Sequence, residues 1–113
     1  MASASNSPFQ CEIEKTGLDQ QGNDVTRVRC KGRLVRESTD EMRETVKPLI
    51  PLGGRIIVDL SELSYLDSSG LGTLVALKIS AVKQGLCILE FANMTPRVLE
   101  LLRITNLKEI LSS

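Results

Sequence analysis

The residues best placed to do chemistry lie in one stretch, Leu60-Ser61-Glu62-Leu63-Ser64-Tyr65-Leu66-Asp67-Ser68-Ser69-Gly70-Leu71-Gly72. It reads as a loop that leaves the end of a buried strand and runs into the N-terminus of a helix. Ligand sites in open α/β sheets gather just beyond the carboxyl ends of strands. The first-turn N–H groups of a helix lack intrahelical partners, and the helix dipole places partial positive charge at that end. A phosphate attached to a residue at the cap position is therefore stabilised. Gly70 and Gly72 cost the helix roughly 1 kcal/mol each against Ala. Their small size would let the backbone of another protein approach closely. The same residues admit a plainer reading, in which Asp67 or Ser68 is a helix N-cap and nothing more.

Other chemistries fail on pattern. The stretch is not a nucleophile elbow, because it lacks that motif's leading glycine and the chain has no histidine. It is not a phosphate-binding P-loop, since no Gly-Lys-Ser/Thr follows. Gly70-Leu71-Gly72 lacks the third glycine of a dinucleotide fingerprint. Without histidine, neither a Ser-His-Asp nor a Cys-His device can be assembled, and the commonest general base and metal ligand is missing. No catalytic residue, metal or cofactor is expected.

The three cysteines, Cys11, Cys30 and Cys87, are remote in sequence and form no CxxC pair. Their odd number and spacing fit reduced thiols of a cytosolic protein, inert in apolar runs. Lys plus Arg balance Asp plus Glu at 14 each, so no overall field draws nucleic acid or anionic lipid to the chain. No apolar run reaches the roughly 20 residues that span a bilayer. A cytoplasmic protein without direct membrane insertion is expected.

The elements that must position the stretch follow from periodicity. Residues 1–8 read as a short disordered tail, and residues 9–113 as one domain. Phe9, Cys11 and Ile13 alternate with polar neighbours, as do Thr26, Val28 and Cys30. A glycine-bearing loop joins these runs, which predicts an antiparallel pair with Glu12 and Glu14 near Arg27 and Arg29. Ser38 and Glu41 form a capping box ahead of a helix carrying Met42, Val46 and Leu49, ended by Pro48, Pro51 and Gly53-Gly54. Ile56-Ile57-Val58-Asp59-Leu60 reads as a central strand covered on both faces. Leu71, Leu74, Val75, Ile79 and Val82 recur at helical spacing up to Gly85, and Leu86 to Phe91 reads as another buried strand. Thr95-Pro96 opens a helix with Val98, Leu101 and Leu102 inward. A last short strand is expected over Leu107 to Leu111. The order β-β-α-β-α-β-α-β implies an α/β fold, a small mixed sheet with helices packed against it.

Val58-Asp59-Leu60, Asp67-Ser68-Ser69-Gly70-Leu71-Gly72 and this element order together resemble the STAS domain, shared by sulfate transporters and anti-sigma-factor antagonists. The resemblance spans Phe9 to Leu111. It implies that the serine directly after the aspartate, Ser68, is phosphorylated by the anti-sigma factor, a serine protein kinase. It further implies that the unphosphorylated form binds that kinase and frees the sigma factor, and that a phosphatase restores the complex. Asp67 would position the loop, and Ser69, Gly70, Leu71 and Gly72 would join it in contacting the partner. The chain departs from the family in one place. Antagonists commonly carry an acidic residue after the second strand, where Gly32-Arg33-Leu34-Val35 puts Val35. The chain also reaches Ser113 before the family's usual last helix. The rival expectation is a constitutive scaffold of the same fold, a subunit of a lipid-transport ABC complex or of a stressosome, in which Ser68 is only a cap.

Overall fold

In the computed structural model, which describes residues 9–107, Phe9–Leu18 (β1) and Asp24–Leu34 (β2) form the antiparallel hairpin that alternation predicts. Gly17 takes a positive φ of 103° at a bulge, a backbone shape that glycine reaches without steric cost. Gly54–Leu66 (β3) and Cys87–Ala92 (β4) complete a sheet ordered β1-β2-β3-β4, with β2, β3 and β4 parallel. Thr39–Val46 (α1) and Ser68–Gln84 (α2) are the crossovers, and Pro96–Thr105 (α3) follows β4. The mixed sheet with helices against it is as expected. Of the expected last strand only Leu107 is described, outside any strand, and residues 108–111 and the tail 1–8 lie outside the described residues.

Both crossovers lie side by side over one face of the sheet, so β3 is covered on one face and not on both. Thr26, Val28, Cys30, Ile56, Val58, Leu60 and Leu89 are buried beneath them. The other face carries charge. Arg27 bonds Asp59 at 2.9 Å, Arg29 bonds Glu12 at 3.4 Å, and Arg55 reaches Glu90 at 2.8 Å and Asp19 at 3.3 Å. Glu12 does pair with Arg29 across the ladder, and Glu14 lies opposite Arg27, but Arg27 turns the other way to Asp59. Burial pushes the Asp59 carboxyl up. Hydrogen bonds from Ser61 and Asn93 and the Arg27 charge outweigh it, leaving the group below the usual range.

Four local expectations are corrected. Ser38 does not cap α1; its Oγ accepts from the Val35 N–H at 2.9 Å and donates to the Arg33 carbonyl at 2.8 Å, closing the loop after β2. Leu49 falls in a 3-10 turn over Lys47–Leu52, because Pro48 and Pro51 have no N–H with which to extend the helix. On α2 the buried stripe runs Gly70, Leu71, Leu74, Leu77, Lys78, Ala81, leaving Ile79 43% and Val82 68% exposed. Lys78 lays its stem through the core and donates to the Leu89 carbonyl at 2.6 Å. Among the described residues β4 lies at the sheet's edge, with Leu89 its fully buried residue and Ile88 half exposed.

Candidate functional site

The stretch expected to be a loop is mostly strand. Two register shifts between β2 and β3 each insert one extra β3 residue, between Asp59 and Glu62 and between Leu63 and Tyr65. Bulges bend the strand that carries them. Here they change the buried spacing from every second residue (Ile56, Val58, Leu60) to every third (Leu60, Leu63, Leu66). β3 therefore stays over the core until Leu66, and Asp67 alone joins it to α2.

Asp67 is the N-cap of α2, extended at φ −101° and ψ −176°. Its Oδ1 accepts the Gly70 N–H at 2.8 Å, and its Oδ2 accepts the Arg36 N–H at 3.1 Å. Its own N–H donates to the Leu34 carbonyl at 3.3 Å. One carboxylate thus ties the end of β2 to the start of α2. Val35, in the place where antagonists carry an acid, lies between Leu34 and Arg36 and so directly beside this junction.

Gly70 is held there by packing. A Cβ on it would stand 2.2 Å from the Leu34 carbonyl oxygen and 2.8 Å from Leu66 Cδ1. Leu71, 6% exposed, also faces the core. A Cβ on Gly72 would meet nothing within 4 Å. Of the expected contact residues, Ser69 and Gly72 are exposed beside Ser68, Asp67 is half-buried, and Gly70 and Leu71 point inward. The exposed part of the ridge is Ser68, Ser69 and Gly72.

Ser68 is the first residue of α2 and is exposed. Because Asp67 performs the capping, the Ser68 hydroxyl is not needed for it and bonds to no group among the described residues. The first intrahelical bond is donated by Leu71 to the Asp67 carbonyl. The Ser68 and Ser69 N–H groups precede it and keep their donor capacity at the positive end of the helix dipole.

Sequence reasoning missed the neighbouring surface. A groove of about 500 Å³ lies between the end of β3 and α3, lined by Tyr65, Leu66, Pro96, Arg97, Glu100 and Leu101. Arg33 and Arg97 place their guanidinium carbons 5.1 and 5.9 Å from the Tyr65 ring centroid, within cation–π range. Arg33 and Arg97 sit on β2 and α3, and nothing in their local sequence signals a shared aromatic ring. Among the described residues, no group of three or more His, Cys, Asp or Glu is placed to hold a metal ion. No helix there is long and apolar enough to cross a membrane.

Comparison with known proteins agrees with this geometry. The family model described as Mlab, STAS domain matches residues 16–112. An anti-sigma-B factor antagonist of Bacillus subtilis is 35% identical over 94 residues, covering 83% of this chain and 84% of the relative. Among solved structures, the unphosphorylated anti-sigma factor antagonist SpoIIAA superposes with a TM-score of 0.67 at 20% identity, over 88% of this chain and 84% of that one. The phosphorylated Bacillus SpoIIAA gives 0.64 at 19% identity, over 88% and 86%. With the match running from β1 to beyond α3, and the Asp-Ser-Ser-Gly-Leu-Gly junction in place between β3 and α2, this chain belongs to the STAS domain family.

Proposed function

We propose that this chain is an anti-sigma-factor antagonist, a non-enzymatic switch in the cytoplasm that binds an anti-sigma factor kinase when Ser68 is unphosphorylated and releases it when Ser68 carries phosphate. The observation that carries this reading is the division of labour at the start of α2. Asp67 does the capping, which leaves Ser68 exposed with an unused hydroxyl and unspent N–H groups around it. A kinase can reach that hydroxyl without unfolding the helix. The phosphate then meets the positive helix end, while a partner surface packed on Ser68, Ser69 and Gly72 meets about 1.5 to 2 added negative charges. The fold tolerates the anion and the complex does not. A phosphatase resets the switch.

That the Bacillus subtilis relative is named an antagonist, and that SpoIIAA has been solved in both phosphorylation states, support the reading. A second reading, a constitutive scaffold subunit of a lipid-transport ABC complex or a stressosome, is favoured by Val35, which leaves the junction without the acid that antagonists carry.

Two measurements test the proposal. Incubation with the cognate kinase and ATP, followed by peptide mass spectrometry, should place phosphate on Ser68; phosphate only on Ser64 or Ser69 would refute the assignment. In calorimetric titration against the anti-sigma factor, Ser68→Ala should bind as the unmodified protein does. Ser68→Asp should bind at least roughly a hundredfold more weakly, since an unpaired desolvated charge costs several kcal/mol. Equal affinity for all three forms would favour the scaffold.

A further inference from the structure

Two cysteines remote in sequence meet in the hairpin. Cys11 lies directly opposite Cys30 in the antiparallel β1–β2 ladder, flanked by the regular pairs Gln10–Lys31 and Glu12–Arg29. Opposed residues in such a ladder have Cα atoms about 4.5 to 5.5 Å apart, inside the span of about 4.4 to 6.8 Å that a disulfide bridges. Their Cβ atoms stand about 4.5 to 5.5 Å apart, slightly more than the about 3.5 to 4.5 Å of a relaxed disulfide. A bond here would draw the strands together under strain, which makes it easy to reduce.

The two thiols are unequal. Cys30 is 1% exposed, with its sulfur 3.7 Å from Met42 Sδ beneath α1. Cys11 is partly exposed at the sheet's edge strand. The neighbouring Cys30 side chain, with Thr45, holds the Cys11 thiol below its ordinary value, against burial and the Glu41 charge. The Cys11 side chain, together with burial, pushes the Cys30 thiol up. Cys11 is the reachable sulfur, and Cys30 is the sheltered one. The third cysteine, Cys87, has no such neighbour: burial raises its thiol, and the Lys78 charge opposes this only in part.

We propose that Cys11 and Cys30 form a reversible oxidation site for a hydroperoxide, Cys11 attacking and Cys30 resolving. The Cys11 thiolate attacks one oxygen of hydrogen peroxide, the O–O bond breaks, and hydroxide leaves. Sulfur gives up two electrons and becomes a sulfenic acid. The Cys30 sulfur then attacks the Cys11 sulfur, its proton joins the departing hydroxide as water, and a disulfide closes between the strands. The site uses no residue of the serine junction, so it stands or falls apart from the switch.

The test is a hydrogen peroxide titration of the purified chain, with free thiols counted and disulfides mapped by non-reducing peptide mass spectrometry. The expected result is loss of two of the three thiols, a Cys11–Cys30 linked peptide, a monomer lighter by two hydrogens, and full recovery with dithiothreitol. Cys87 stays free. In Cys30→Ala, dimedone should label Cys11; in Cys11→Ala, Cys30 should stay unlabelled. Because the wild-type map decides without any variant, a poorly folding mutant does not blunt the test. Oxidation of Cys87 first, linkage only between separate molecules, or retention of all thiols at peroxide excess would overturn the proposal.

Discussion

Asp19 and Asp67 each close a turn at the end of a β-strand, but they leave different amounts of hydrogen-bonding capacity behind. Asp19, after β1, accepts from the Gln21 and Asn23 N–H groups at 2.9 and 2.8 Å, and its other oxygen accepts from Asn23 Nδ2 and Arg55 Nη1. The backbone N–H groups of Asp19, Gln21, Gly22 and Asn23 all find acceptors within that turn, and Arg55 carries the network on to Glu90. Asp67, after β3, accepts from the Gly70 and Arg36 N–H groups, and beside it the Ser68 hydroxyl and two helix N–H groups remain unspent. A turn whose backbone donors are mostly consumed fixes a hairpin. A turn that is rigid yet keeps donors free can accept an added anion without rebuilding itself. The rigidity comes from Gly70 against Leu34, and the free capacity comes from Asp67 relieving Ser68 of the capping role.

The contrast can be broken most severely at Gly70. In Gly70→Ala the added methyl group would stand 2.2 Å from the Leu34 carbonyl, so backbone must move; overpacking of this kind costs about 3 kcal/mol. Gly72→Ala, with nothing within 4 Å, should instead gain up to about 1 kcal/mol of helix propensity. Urea melts of the two variants check this, and equal midpoints would mean that Gly70 is not packed against β2.

Asp67→Ala comes next. Loss of the cap costs about 1 to 2 kcal/mol and also frees the Arg36 N–H, so amide exchange should quicken at both Gly70 and Arg36. Asp67→Asn should restore the Gly70 bond through Oδ1 while leaving Arg36 loose, because an amide nitrogen cannot accept. Slow exchange at Arg36 in Asp67→Asn would show that something else holds the end of β2.

At the other turn the effect appears as pH dependence. Hydrogen bonding from Asn23, ahead of the smaller opposing effect of burial, holds the Asp19 carboxyl below its usual range. A carboxyl whose folded value is depressed contributes stability above its unfolded value, about 3.9, and loses it as pH falls through the folded value. Melting temperature should thus drop on acidification below about pH 4, and Asp19→Asn should show a shallower drop than wild type. Parallel curves would remove Asp19 from the acid response.

The smallest effect is expected in the melting of Ser68→Asp, which should match or exceed wild type by about 0.3 to 1 kcal/mol through the helix dipole. A clear loss of stability would mean that the start of α2 lacks the spare capacity which distinguishes it from the Asp19 turn.

Much of this was legible in the chain itself. Alternation in Phe9–Ile13 and Thr26–Cys30, proline and glycine punctuation, and the Thr95-Pro96 start signal determined the hairpin, the crossovers and α3, because each depends on residues close in sequence. The Asp-Ser-Ser-Gly-Leu-Gly motif marked the junction for the same reason. The sequence left open whether Asp67 or Ser68 is the cap, and only the tertiary structure decided it, since Asp67 caps Gly70 through Oδ1 while its Oδ2 is committed to Arg36 in the turn after β2. Likewise, bulges in the β2–β3 pairing turned an expected loop into strand, and two crossovers on one side of the sheet left the far face of β3 open to its ion pairs. The pairing of Cys11 with Cys30 was equally out of reach. Hairpin register is set by a turn, a bulge and a buried face acting together, and a shift of one residue would have put each thiol opposite a different side chain.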